Sequence, residues 1–232
     1  MTNLGKVSRI SGLLYLIVVI AGMFSLAYVP NKLFNWTKPA ATFDNISSNE
    51  TLFRASLASS VLCYLSFILL PIFLYQLFEN VNKYIARIIA VLAIVSVPIS
   101  IANLTHKYSI LTLLANLRST GLQATEQVYD QVMTKLHAYN EGIFIVTIFW
   151  GLWLLPFGYL VYKSGFLPRI LGILLMLGCL GYMVNFFGAT LYGNYKELVI
   201  GRIMRYLPAV AEISTCFWLL IIGAKTKKTA LS

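Results

Sequence analysis

A chain of 232 residues that is 59% hydrophobic and only 11% charged carries too little charge to cover a water-facing surface, since soluble domains hold about 25% charged residues. Its net charge of +10 comes from Lys and Arg scattered in ones and twos at the ends of apolar runs. That distribution argues against a nucleic-acid footprint and suits the flanks of membrane helices, so the expected partner is the lipid bilayer and not nucleic acid.

Six runs approach the roughly 20 apolar residues that a helix needs to cross a bilayer: 10–29, 56–78, 88–104, 143–162, 170–192 and 207–224. They predict an all-α polytopic membrane bundle of six transmembrane helices, forming one integral membrane domain over residues 1–232. The first run exceeds the usual signal-peptide core of about 7 to 15 residues and is read as a retained span. Segment 31–55 then reads as an ordered or partly ordered cap, with Pro39 and Asn45-Ile46-Ser47-Ser48 as breakers.

Between the third and fourth runs, Val128, Val132 and Leu136 recur at four-residue spacing beside Tyr129 and Met133, with Thr125 placed to cap. This predicts an amphipathic outer helix, either lying at the interface or extending the fourth span. After the fourth run, Lys163 ends a helix, Gly165 suits a left-handed cap and Pro168 opens the next, so the fourth and fifth spans form an antiparallel pair.

Basic residues divide evenly between the two sides of such a bundle. Lys6, Arg9, Lys83, Arg87, Lys163, Arg169, Lys225, Lys227 and Lys228 lie densely on the side of the termini. The opposite set, which includes Lys107, Arg118, Lys135 and Arg205, is diluted over longer loops. Density places both termini in the cytoplasm.

Three stretches carry a resemblance to a known family: Arg9-Ile10-Ser11-Gly12-Leu13-Leu14-Tyr15, Gly158-Tyr159-Leu160 through Gly165-Phe166-Leu167-Pro168-Arg169-Ile170-Leu171-Gly172, and Glu212 with Trp218-Leu219-Leu220. Together the sequence resembles a bacterial multi-pass membrane protein family of unknown function, domain-of-unknown-function family 4386. The Gly-x-x-Pro-Arg-x-x-Gly turn is the most specific element. The resemblance implies a six-helix protein of the bacterial cytoplasmic membrane and brings no catalytic or binding residues with it.

Glu212 is the acid within a span and is expected to face the bundle interior, about a turn and a half from the outer end of its helix. Alternating helices bring Asn103 and Asn185 to the same outer third, where Tyr64 and Thr147 join them as a candidate polar cluster. Glu212 is expected to reach one of the two amides directly or through water. On the fifth run, Gly178, Gly181, Asn185 and Gly188 fall within an arc of about 80°, which predicts close helix packing at the three glycines. Pro71, Pro98, Pro156 and Pro208 mark kinks. Cys63, Cys179 and Cys216 read as packing residues, His106 and His137 as surface residues, and no catalytic residue, metal site or cofactor is expected.

Three functional classes stay open at this level. The leading one binds, senses or passes a small lipophilic ligand through a polar vestibule in the outer half of the membrane. The second is a structural or accessory subunit with dry packing, and the third an intramembrane enzyme using Glu212. The oligomeric state is not legible in the residues.

Overall fold

Helix dominates the computed structural model, which describes residues 3–224. Lys225, Lys227 and Lys228, counted above among the basic residues of the terminal side, lie outside the described residues. Nine α-helices follow one another among the described residues: α1 (Asn3–Met23), α2 (Val29–Leu33), α3 (Pro39–Ser48), α4 (Glu50–Asn103), α5 (Thr105–Thr120), α6 (Glu126–Leu152), α7 (Leu154–Ser164), α8 (Arg169–Leu191) and α9 (Val199–Phe217). A wider π-helical turn, Phe24–Tyr28, joins α1 to α2, and another, Trp218–Ile222, ends α9.

Five helical stretches among the described residues are long and apolar enough to cross a membrane, where six runs were expected. The difference lies in Glu50–Thr120, a 71-residue stretch that contains both the second and the third run. At 1.5 Å per residue a straight α4 would measure roughly 80 Å, far more than the ~30 Å hydrocarbon core. It does not run straight. Asn82 leaves the helical region (φ −161°, ψ 106°), and its side-chain oxygen accepts the backbone N–H groups of Tyr84 and Ile85, both at 3.1 Å. One residue thus ends the first arm and caps the second. The ends of the stretch confirm the reversal: Arg118 of α5 pairs with Glu50 at 2.6 Å, although 68 positions separate them.

One loop alternative is decided and one loop expectation changes. The amphipathic segment is the first half of α6 and runs without interruption into the fourth span, with Val132, Met133 and Leu136 buried. It lies between α3 and α5, so its apolar face is covered by protein. Thr125 occupies the N-cap position but its side chain makes no capping bond. In segment 31–55, Pro39 opens α3 at a first-turn position and residues 45–48 belong to that helix, because a proline at a helix start gives up only an N–H that has no partner there. Phe43 of α3 meets Tyr129 of α6 at 5.2 Å, which seats the cap on the first half of α6.

The kinks have identifiable causes. Trp153 separates α6 from α7 three residues before Pro156, which lacks the N–H that would bond to Leu152. In the first π turn the Val29 N–H reaches back to Phe24, and Pro30 has no N–H for the carbonyls of Ser25 and Leu26.

The turn from α7 to α8 shows why its sequence pattern has that form. Gly165 sits at φ +70°, the left-handed C-cap of α7, and Pro168 precedes α8 in extended conformation. Arg169 lies over the Tyr162 ring, 5.5 Å from its centroid. A Cβ on Gly172 would stand 2.6 Å from the Gly158 carbonyl, and one on Gly158 would stand 2.5 Å from that of Gly172. Only a glycine pair lets α7 and α8 cross at this distance.

Candidate functional site

The site begins with two residues almost 200 positions apart. Tyr15 lies on α1 and is fully buried, and its hydroxyl donates to Oε2 of Glu212 on α9 at 2.9 Å. Tyr182 of α8 donates to Oε1 of the same carboxyl at 3.2 Å. Both carboxylate oxygens are therefore engaged, each by a phenol from a different helix. The contact depends on α1 and α9 lying side by side. That approach is set at Gly12, where a Cβ would collide with the backbone of Leu219 and Leu220, and the Cys216 thiol donates to the Gly12 carbonyl at 3.6 Å.

Glu212 lies deeper than its sequence neighbourhood suggests. Helix α9 begins at Val199, so Glu212 is 13 residues in, roughly 20 Å along the axis, and not a turn and a half from the end. Arg202 and Arg205 hid this extension, because two charged residues in 199–206 keep that stretch out of a hydropathy run. The helix N-terminus does not stabilise a carboxyl this far along, since that effect is confined to the first turn. Arg205 is exposed, and both ion pairs among the described residues belong to Glu50.

Beside the carboxyl lies a cavity of about 290 Å³, lined by Val18, Val19, Gly22, Met23 and Leu26 of α1 and its π turn, Cys63, Tyr64 and Phe67 of α4, Trp150 and Trp153, Tyr182, and Ala209, Glu212 and Ile213 of α9. Its walls are apolar and aromatic apart from the carboxyl and the phenols. Trp153 is fully buried and stands edge-on to Phe67 (5.1 Å) and Tyr15 (5.9 Å), so the floor is a locked aromatic cluster. The mouth opens on the apolar surface between α1 and α9, where Met23 is 58% exposed and Ala209 is also exposed. A wider groove of about 910 Å³ between α5 and α6 is lined by Ser109, Thr112, Glu126, Asp130, Thr134 and Lys135 among others. None of its lining residues is buried, so it is an open polar surface without an enclosed group.

The expected polar cluster divides into separate places. Tyr64 shares the cavity with Glu212. Asn103 instead donates to the Tyr139 carbonyl at 2.8 Å and rests against Gly142, holding α4 to α6. Asn185 accepts the Tyr195 hydroxyl at 3.1 Å, and Thr147 bonds within its own helix to the Phe144 carbonyl. Depth along a helix places these residues at similar levels, but rotation about each axis points them at different neighbours.

The glycine face of α8 meets α9 and the turn before it. A Cβ on Gly181 would lie 2.7 Å from the Met204 carbonyl, one on Gly178 3.3 Å from the Pro208 Cα, and one on Gly188 would enter the Tyr195 ring. Tyr195 thus fills the corner that Gly188 and Asn185 leave between the helices.

One buried charge was not legible in advance. Lys107, counted with the outer loops, is fully buried on α5. Its ammonium lies 4.2 Å from the Tyr139 ring centroid and donates to the Ser25 carbonyl at 3.4 Å, one of the two carbonyls that Pro30 leaves without a helical donor. His137, for its part, packs against Trp36 at 5.1 Å with the rings tilted by 51°, and neither histidine lines the cavity.

Comparison with known proteins agrees with the resemblance at the helix ends. The model of the family described as Domain of unknown function (DUF4386) matches residues 10–223. An uncharacterized protein of Archaeoglobus fulgidus is 30% identical over 101 residues, 42% of this chain and 58% of that relative, so the chain spans little more than half the length of the relative it matches. No solved structure matches.

Proposed function

This chain belongs to the DUF4386 family, whose description carries no activity, and we propose from the geometry of its cavity that it is a binding protein of the cell membrane. In this reading it forms a single integral domain with both termini in the cytoplasm and takes a small lipophilic molecule from the bilayer into the cavity between α1, α4 and α9. One observation carries the reading: an apolar cavity of about 290 Å³, with Met23 and Ala209 exposed at its rim, holds a carboxyl group placed mid-helix. That volume is at the lower edge of ligand sites, which run from about 300 to 1,000 Å³, and an apolar lining with a few placed polar groups is their usual make-up. A carboxylate that far into a membrane helix costs a few kcal/mol on insertion, and simple helix packing would not require an open space beside it.

Filling the cavity tests this. Gly22 lines it, and a Cβ there meets only the Cys63 thiol, at 3.7 Å, so Gly22→Phe should occupy the space without displacing backbone. Protein purified in lipid nanodiscs is analysed by native mass spectrometry for co-purified small molecules. The parent should carry a lipophile that Gly22→Phe lacks. A dry parent, or equal retention in both, would leave the cavity a packing defect and favour the accessory-subunit reading.

A further inference from the structure

We propose that the ligand of this cavity is a lipophilic amine bound as its ammonium ion, with Glu212 as its counter-ion; this rests on the reading of the cavity as a binding site. The first support is the arrangement around the carboxyl. Tyr15 and Tyr182 donate one hydrogen bond to each oxygen, which fixes the group in position. An ionised carboxylate has about four acceptor sites, so two phenols leave room for donors arriving from the cavity. The two tyrosines come from α1 and α8, and with the carboxyl on α9 three helices hold one acceptor.

The second support is charge. A buried carboxylate is stable only when paired or well hydrogen-bonded. The basic residues nearest to Glu212 along α9 are Arg202 and Arg205, both exposed. Lys107, a buried cation elsewhere in the bundle, is committed to the Ser25 carbonyl and the Tyr139 ring. The protein thus offers an anchored acceptor and no cation to match it among the ion pairs of the described residues.

Aromatic walls are the third. Phe67, Trp150, Trp153, Tyr64 and Tyr182 surround the same space, and the negative faces of indole and phenol rings attract ammonium groups. A carboxylate inside an aromatic enclosure suits an alkylammonium head. The open side between Met23 and Ala209 lets an alkyl or aryl tail extend over the apolar surface. A carboxylic acid would meet Glu212 as a like charge, and an alcohol would supply one donor without the charge.

The experiment uses three probes with one ten-carbon chain, decylamine, decanol and decanoate, titrated into the full-length protein in nanodiscs of neutral lipid. Binding is read from the tryptophan fluorescence of the cavity, to which Trp150 and Trp153 contribute. The parent, Glu212→Gln and Gly22→Phe are compared after correction for partition into empty nanodiscs. Amine binding about tenfold or more tighter than alcohol, falling to near equality in Glu212→Gln, is the expected result. Equal binding of amine and alcohol, both abolished by Gly22→Phe, would overturn the ammonium assignment and leave the cavity reading standing. Signals that Gly22→Phe does not change for any probe would overturn both. The amine-to-alcohol ratio in the parent decides the charge preference by itself should Glu212→Gln fail to fold.

Discussion

Replacing Gly181 by alanine adds a single methyl group where α8 meets α9, and the geometry sets what that methyl encounters. Its carbon would lie 2.7 Å from the Met204 carbonyl oxygen and 3.0 Å from Pro208 Cδ. The first is backbone, and the second belongs to a ring with little freedom, so neither can turn aside. Overpacking of this kind costs about 1–3 kcal/mol, against a gain of up to about 1 kcal/mol from replacing glycine by alanine within a helix. With the full helix gain subtracted, the net expectation is a loss of up to about 2 kcal/mol, or up to roughly 8 °C in Tm for a chain of this size. Gly22→Ala supplies the control, because its methyl meets only the Cys63 thiol at 3.7 Å, an ordinary contact beside open space. Thermal unfolding in detergent, followed by size-exclusion chromatography of the soluble fraction, compares the two. Gly181→Ala should melt clearly below the parent and Gly22→Ala at or above it. A Gly181→Ala protein as stable as Gly22→Ala would refute the close approach of α8 and α9.

Tyr15→Phe removes one donor from the Glu212 carboxylate and should cost about 1.5–3 kcal/mol, as hydrogen bonds to charged groups do. Combined with Glu212→Gln in a double-mutant cycle, it should show a coupling of at least about 0.5 kcal/mol, and strict additivity would mean that the two groups do not interact. Lys107→Met keeps the buried stem but removes an ammonium that has one long hydrogen bond and one ring for company. It should leave the Tm unchanged or raise it, since apolar replacement of buried charge is often neutral or stabilising, whereas a large fall would show that the cation holds the π turn of Ser25 in place.

The helical fold was legible because apolar runs near 20 residues, long enough to cross a membrane, have few alternatives when each backbone polar group needs an internal partner. Local chemistry was legible for the same kind of reason. Gly165 and Pro168 act within their own turn, and the spacing of Gly178, Gly181 and Gly188 defines a face whatever lies opposite. Where a helix begins was less clear, since Arg202 and Arg205 interrupt the apolar first turns of α9 and α6 carries an amphipathic half that only the neighbouring α3 and α5 cover. The partners of Glu212 belong to tertiary structure alone. Axial depth can be counted along a sequence, but rotation about each helix axis and the choice of neighbours follow from how all the helices pack. That packing turns Asn103 toward Tyr139, Asn185 toward Tyr195, and the phenols of Tyr15 and Tyr182 toward a carboxyl nearly 200 and 30 residues away along the chain.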